Sequence, residues 1–153
     1  MSMRPILLSV LLYPAAGVWA ADDLSGTWLL NVEKSRWDGV QAPVSLVLEI
    51  DHKEPRLKYH GHITYASGRE RDFYFDGALD GKDYPMTRSY ASGLVSLKRF
   101  ELHTFKSEFR STDGRYVESA EVRLSVNSRR LTRKVRLETP EGARSWTEVY
   151  ERQ

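Results

Sequence analysis

Val44-Ser45-Leu46-Val47-Leu48-Glu49-Ile50, then His52-Lys53-Glu54-Pro55, then Leu57-Lys58-Tyr59-His60-Gly61-His62-Ile63-Thr64-Tyr65 is the stretch on which the fold turns. Val44, Leu46, Leu48 and Ile50 fall on every second position, and so do Leu57, Tyr59, Gly61, Ile63 and Tyr65. Side chains on a strand alternate between faces, so each run has one apolar face and one mainly polar face. The segment between them carries Pro55 and reads as a turn. Two half-buried strands joined so tightly pair antiparallel. Working outward, the same period returns in Phe73-Phe75, Val95-Leu97, Phe105-Ser107-Phe109, Ala120-Val122-Leu124-Val126, Val135-Leu137 and Trp146-Glu148-Tyr150. Turn signals separate these runs: Ser67-Gly68, Asp80-Gly81, Asp113-Gly114, Asn127-Ser128 and Pro140-Glu141-Gly142.

The pattern predicts an all-β, antiparallel up-and-down meander. Eight to ten strands in such a meander leave two unpaired edges, and closure into a barrel removes them. A two-sheet sandwich is the alternative architecture. Asn31–Trp37 has no alternation and is expected to form one short helix, or a helical turn, capped by Asn31 after the first strand. Lys82–Gly93 reads as a broken strand or a loop at the barrel mouth.

The N-terminus carries the order of a secretion signal. Arg4 gives a positive start, Ile6–Leu12 is uncharged and mostly apolar, Pro14 breaks the run, and Val18-Trp19-Ala20 offers small residues at −3 and −1. The apolar run is too short to span a bilayer, for which about 20 residues are needed. Residues 1–20 are therefore expected to be a signal peptide cut before Ala21, leaving residues 21–153 as a single domain in the periplasm or outside the cell. The sequence contains no cysteine, which excludes disulfides and thiolate metal sites. A formal net charge of +2, with both signs interspersed, is not the footprint of a nucleic-acid or membrane-surface protein.

Ser25-Gly26-Thr27-Trp28, at the head of the first strand, resembles the Gly-x-Trp signature that opens lipocalin barrels. The resemblance implies that Gly26 and Trp28 belong to a plug at one barrel end, with Arg152, or else Arg144, packed on the tryptophan. Gly26-Thr27-Trp28 with Leu30-Asn31 and Glu33-Lys34-Ser35, Asp80–Pro85, Val95–Arg99 and Val149–Arg152 is also similar to a group of exported bacterial lipocalin-like proteins of largely unknown activity. The chain departs from lipocalins in lacking their paired cysteines and any helix after the last strand. It therefore implies a lipocalin-like β-barrel but no particular ligand.

Five charged residues fall where a strand's apolar face should continue: Arg71 before Phe73, Arg99 after Leu97, Glu118 before Ala120, Arg133 between Leu131 and Val135, and Glu148 between Trp146 and Tyr150. A buried charge is costly unless it is paired or meets a charged ligand. Pointing inward, these groups with Tyr59, Phe73, Phe75 and Phe109 would make a cavity for a small amphiphilic or aromatic molecule, an anion if the arginines outnumber their partners. At strand ends they would instead reach solvent. His60 and His62 share a strand face, but no spacing recruits His52 or His103 as further ligands, so no metal or other cofactor is expected. No nucleophile, metalloprotease or phosphate-loop motif is present. The expected function is binding by a monomer or weak dimer. An isomerase- or cyclase-type cavity enzyme and an envelope protein with a filled barrel are the alternatives.

Overall fold

A computed structural model describes residues 23–153. The leader 1–20 and the cut before Ala21 lie outside the described residues. Ten antiparallel strands follow one another: β1 (Gly26–Leu30), β2 (Ser45–Lys53), β3 (Arg56–Thr64), β4 (Glu70–Ala78), β5 (Asp80–Arg88), β6 (Gly93–Glu101), β7 (Thr104–Ser111), β8 (Val117–Leu124), β9 (Arg130–Thr139) and β10 (Gly142–Arg152). Each pairs with its chain neighbours, and β1 pairs with β10 to close a barrel.

Two joints in the wall are short. At the β1–β10 seam only Trp28↔Arg152, Leu29↔Glu151 and Leu30↔Tyr150 pair, and between β4 and β5 only Phe73↔Arg88, Tyr74↔Thr87 and Phe75↔Met86 do. The rest of the β4–β5 joint is filled by rings. Tyr84 stands edge-on to Phe75 at 6.1 Å, and both lie against Gly77, where a Cβ would meet either ring at 2.6 Å.

The period-two pattern puts the apolar faces inside. Trp28, Phe105 and Leu124 are the largest fully buried side chains, within a cluster that includes Leu46, Leu57, Phe75, Val95, Leu97, Phe109 and Leu131. Trp28 seals one end. Its indole N–H donates to the Leu24 carbonyl at 2.9 Å, and the Arg152 guanidinium lies 4.5 Å above its ring. Arg152 also donates to the carbonyls of Ser25 and Asp23, both at 2.7 Å, tying the chain's first strand to its last.

Three local readings need correction. Among the described residues there is no helix: Val32–Lys34 is one turn. Asn31 Oδ1 does accept from the Lys34 N–H at 3.0 Å, but Arg36 and Thr147 then exchange backbone hydrogen bonds at 2.8 Å, which draws the chain along β10 and stops the turn from propagating. Lys82–Gly93 divides in two: Lys82–Arg88 is not a broken strand but most of β5, and Ser89–Ser92 is the loop that leads to β6. The alternation of β5 is obscured by Pro85 and by a register shift between Asp80 and Asp83. Asp80-Gly81 opens β5 and still marks the reversal: the β4–β5 register is centred between these two residues, Gly81 has a φ of 78°, and Asp80 Oδ1 accepts from the Lys82 N–H at 2.9 Å. Val126 extends no apolar face; it is 89% exposed on the β8–β9 turn.

Candidate ligand cavity

Opposite the Trp28 plug, the barrel interior opens into a cavity of about 230 Å3. That is below the roughly 300–1,000 Å3 usual for ligand pockets. The chain between β1 and β2 crosses this end and contributes Trp37, Val40, Gln41 and Pro43 to the lining. Most of the wall is apolar: Leu46, Leu48 and Ile50 from β2, Leu57 and Ile63 from β3, Val95 and Leu97 from β6. Tyr59 stacks on Phe75 at 5.0 Å and meets Phe73 edge-on at 6.1 Å. Gly61 makes room for this group, since a Cβ there would lie 1.9 Å from the Phe73 ring.

One side of the wall is charged. Arg133 on β9 donates through Nη1 to both oxygens of Glu148 on β10, at 3.1 and 3.0 Å, and through Nη2 to Glu118 Oε1 on β8. Trp146 and Tyr150 also donate to Glu148, each at 2.7 Å. From β5, Arg88 reaches Glu118 Oε1 at 3.3 Å while its guanidinium lies 3.7 Å from the centre of the Phe109 ring. Two arginines therefore meet two carboxylates, and the group is electrically neutral. Glu148 is saturated. Glu118 Oε2 has no hydrogen-bond partner among the described residues, although Glu118 lines the cavity and is 9% exposed.

These contacts set the protonation states. Burial alone would raise the Glu118 carboxyl, but Arg133 and Arg88 override it and hold it down to about 2. Burial pushes the Tyr59 hydroxyl up to about 12, with Arg88 and Arg133 opposing and Glu118 adding slightly, so it remains a donor. Burial and Glu148 together raise Tyr150 well above its ordinary range.

Of the residues singled out from the sequence, Tyr59, Phe73, Phe109, Glu118, Arg133 and Glu148 line the cavity. Phe75 lies behind Tyr59 in the core. Arg99 does not reach the cavity. It points inward at the plug end, lies 4.6 Å from the Phe105 ring centre, and donates to Glu54 Oε2 at 3.3 Å. Arg71 sits beside the mouth, 4.3 Å from the Tyr90 ring centre and 5.7 Å from that of Tyr65, with no ion pair among the described residues. Among the described residues, the cavity's two arginines are thus matched by two carboxylates, and Arg71, at the rim, is a cation without an ion pair. Gly26 packs at the plug, 3.8 Å from Arg152 Nη1 for a Cβ placed on it, whereas Arg144 is exposed. His60 and His62 share Asp72 Oδ1 at 2.9 Å each on the outer face, and no group of three or more metal-ligating side chains forms among the described residues.

Arg88 was not foreseen. The signal was present, since Met86, Arg88 and Tyr90 alternate, but Pro85 and the shifted register separate that run from the rest of its strand.

The barrel is similar to a bile-acid-binding protein. It matches a crystal structure of zebrafish ileal bile acid-binding protein complexed with cholic acid at a TM-score of 0.54, covering 85% of this chain and 98% of that one, with 13% sequence identity. At that identity the likeness is one of fold. No protein-family model matches the chain, and no curated protein sequence does.

Proposed function

We propose that this protein is an exported binding protein that takes a small amphiphilic molecule into its barrel, entering past the β1–β2 segment. The carrying observation is the cavity itself, apolar on most sides and polar on one, within a closed wall. The cholic acid bound by the structural neighbour supports a small amphiphile as ligand. The leader-like residues 1–20 support a periplasmic or secreted location. Neither Glu118 nor Tyr59 is poised to exchange protons near neutrality, and no histidine lines the cavity among the described residues, which favours binding over acid–base catalysis.

An anionic head group would lie at Arg71, a cation at the rim that makes no ion pair among the described residues. Native mass spectrometry of the protein purified from its own host should show a co-purifying small molecule. In calorimetric titrations, hexadecanoate should bind more tightly than its methyl ester, by about three- to tenfold for a charge-assisted contact at an exposed rim. Arg71→Gln should remove that preference. Equal binding of acid and ester rejects the anionic head group. No binding of these or of bile acids rejects the carrier reading.

A further inference from the structure

Cations and rings alternate from the rim into the barrel. Arg69 lies 4.8 Å from the centre of the Tyr65 ring, and Arg71 lies 5.7 Å from that centre and 4.3 Å from that of Tyr90. Arg88 then lies 5.7 Å from the Tyr90 ring centre and 3.7 Å from that of Phe109, where it meets Glu118. The β3–β4 turn brings the outer members together. The Tyr65 N–H donates to the Arg69 carbonyl, and the Gly68 N–H to the Tyr65 carbonyl, each at 2.9 Å. Arg69 and Arg71 follow the phase of Phe73 toward the mouth, whereas Glu70 takes the other face, 3.8 Å from His62 Nε2.

The two ends of this series differ in charge balance. Arg88 is answered by Glu118, but neither Arg69 nor Arg71 makes an ion pair among the described residues. Two like charges around one ring repel, and the rings offset only part of that. Stacking uses the flat face of a guanidinium and leaves its N–H edge free to donate. Tyr90 Oη accepts from Arg88 Nη1 at 3.1 Å, so its own proton remains to be given. Burial raises that hydroxyl, against Arg88, and Tyr65 lies within its electrostatic reach. The Tyr65 hydroxyl makes no hydrogen bond with the described residues. The rim therefore presents two free cations and two hydroxyl donors, beside a cavity that Tyr65, Arg88 and Tyr90 line.

A carboxylate brings one charge to a pair of cations. A phosphate monoester brings nearly two, with three strong acceptor oxygens. Resting on the reading of the cavity as a ligand site, we infer that the head group held at this rim is a doubly charged phosphate monoester. It bridges the N–H edges of Arg69 and Arg71, takes hydrogen bonds from Tyr65 and Tyr90, and sends its chain into the cavity.

Calorimetric titration at pH 8 with decyl phosphate and with its methyl diester tests this, since the two share a chain and a phosphorus but differ by one charge. The monoester should bind about fivefold or more tightly than the diester, as one further charge contact at a solvated rim allows. Arg69→Gln, an exposed change on a turn, should bring that ratio below about twofold. Equal binding of monoester and diester overturns the inference and leaves the carrier reading intact, and so does a preference that survives Arg69→Gln. Inorganic phosphate alone should bind more than about tenfold more weakly than decyl phosphate, because it has no chain to bury. A smaller difference would make the occupant free phosphate and overturns the head-group assignment. No binding of decyl phosphate, its diester or hexadecanoate overturns both readings.

Discussion

Arg133 stands between two carboxylates, and its removal would leave them facing each other with one arginine for two negative charges. Arg133→Met keeps the stem and deletes the charge. It should cost about 3–5 kcal/mol in urea unfolding at pH 7, the range for breaking a buried pair from one side. Acidification acts on the same residues in the native protein. Glu118 is held at about 2 when folded, against 4.5 ordinarily, so its contribution is complete above about pH 5 and is lost as the pH falls toward 2. The linked change is roughly 3 kcal/mol. Unfolding measured across that window should show the fall in the wild type and a much shallower one in Glu118→Gln. The inward phase of Glu118, Arg133 and Glu148 is legible in the sequence, because each interrupts an apolar alternation. Their partners are not, since strand phase gives a face but no height along the barrel axis. Arg99 shows the difference: its phase is inward, yet it lies at the plug end, away from the cavity.

At the scale of strands, glycine shapes the interior as much as the large side chains do. Gly61 sits mid-strand with ordinary backbone, and its role is only that the Phe73 ring occupies the space of a Cβ. Gly61→Ala should cost about 1–3 kcal/mol by overpacking, read by thermal or urea unfolding. Gly61→Ala with Phe73→Leu should recover part of it. If the single change proves neutral, the ring is free to move and the aromatic wall is softer than described. Alternation reveals most of the strands because each is polar on one side and apolar on the other. It fails at β5, where the register shift and Pro85 break the period, and at Asn31–Trp37, where a cap residue and helix-compatible composition are overruled by hydrogen bonding to β10. Both failures have one cause: the deciding partner lies far away in sequence.

For the molecule as a whole, closure depends on a seam of three residue pairs between the first strand and the last. Deleting Tyr150–Gln153 removes those pairs and the Arg152 cover of Trp28 while sparing most of the β9–β10 pairing. That truncation should expose two sheet edges, bind anilinonaphthalene sulfonate, and aggregate at micromolar concentration, whereas Arg144→Ala, on the same strand but far from the seam, should do neither. A monomeric, dye-silent truncation would show that the remaining wall holds its curvature without the seam. The consequence reaches back to the chain's manufacture. Trp28 is made long before Arg152, so a chain emerging from a ribosome carries its completed strands as an open sheet until β10 follows. Whatever guards the nascent chain must stay until β10 has emerged, because the barrel has no earlier stage at which both of its borders are covered.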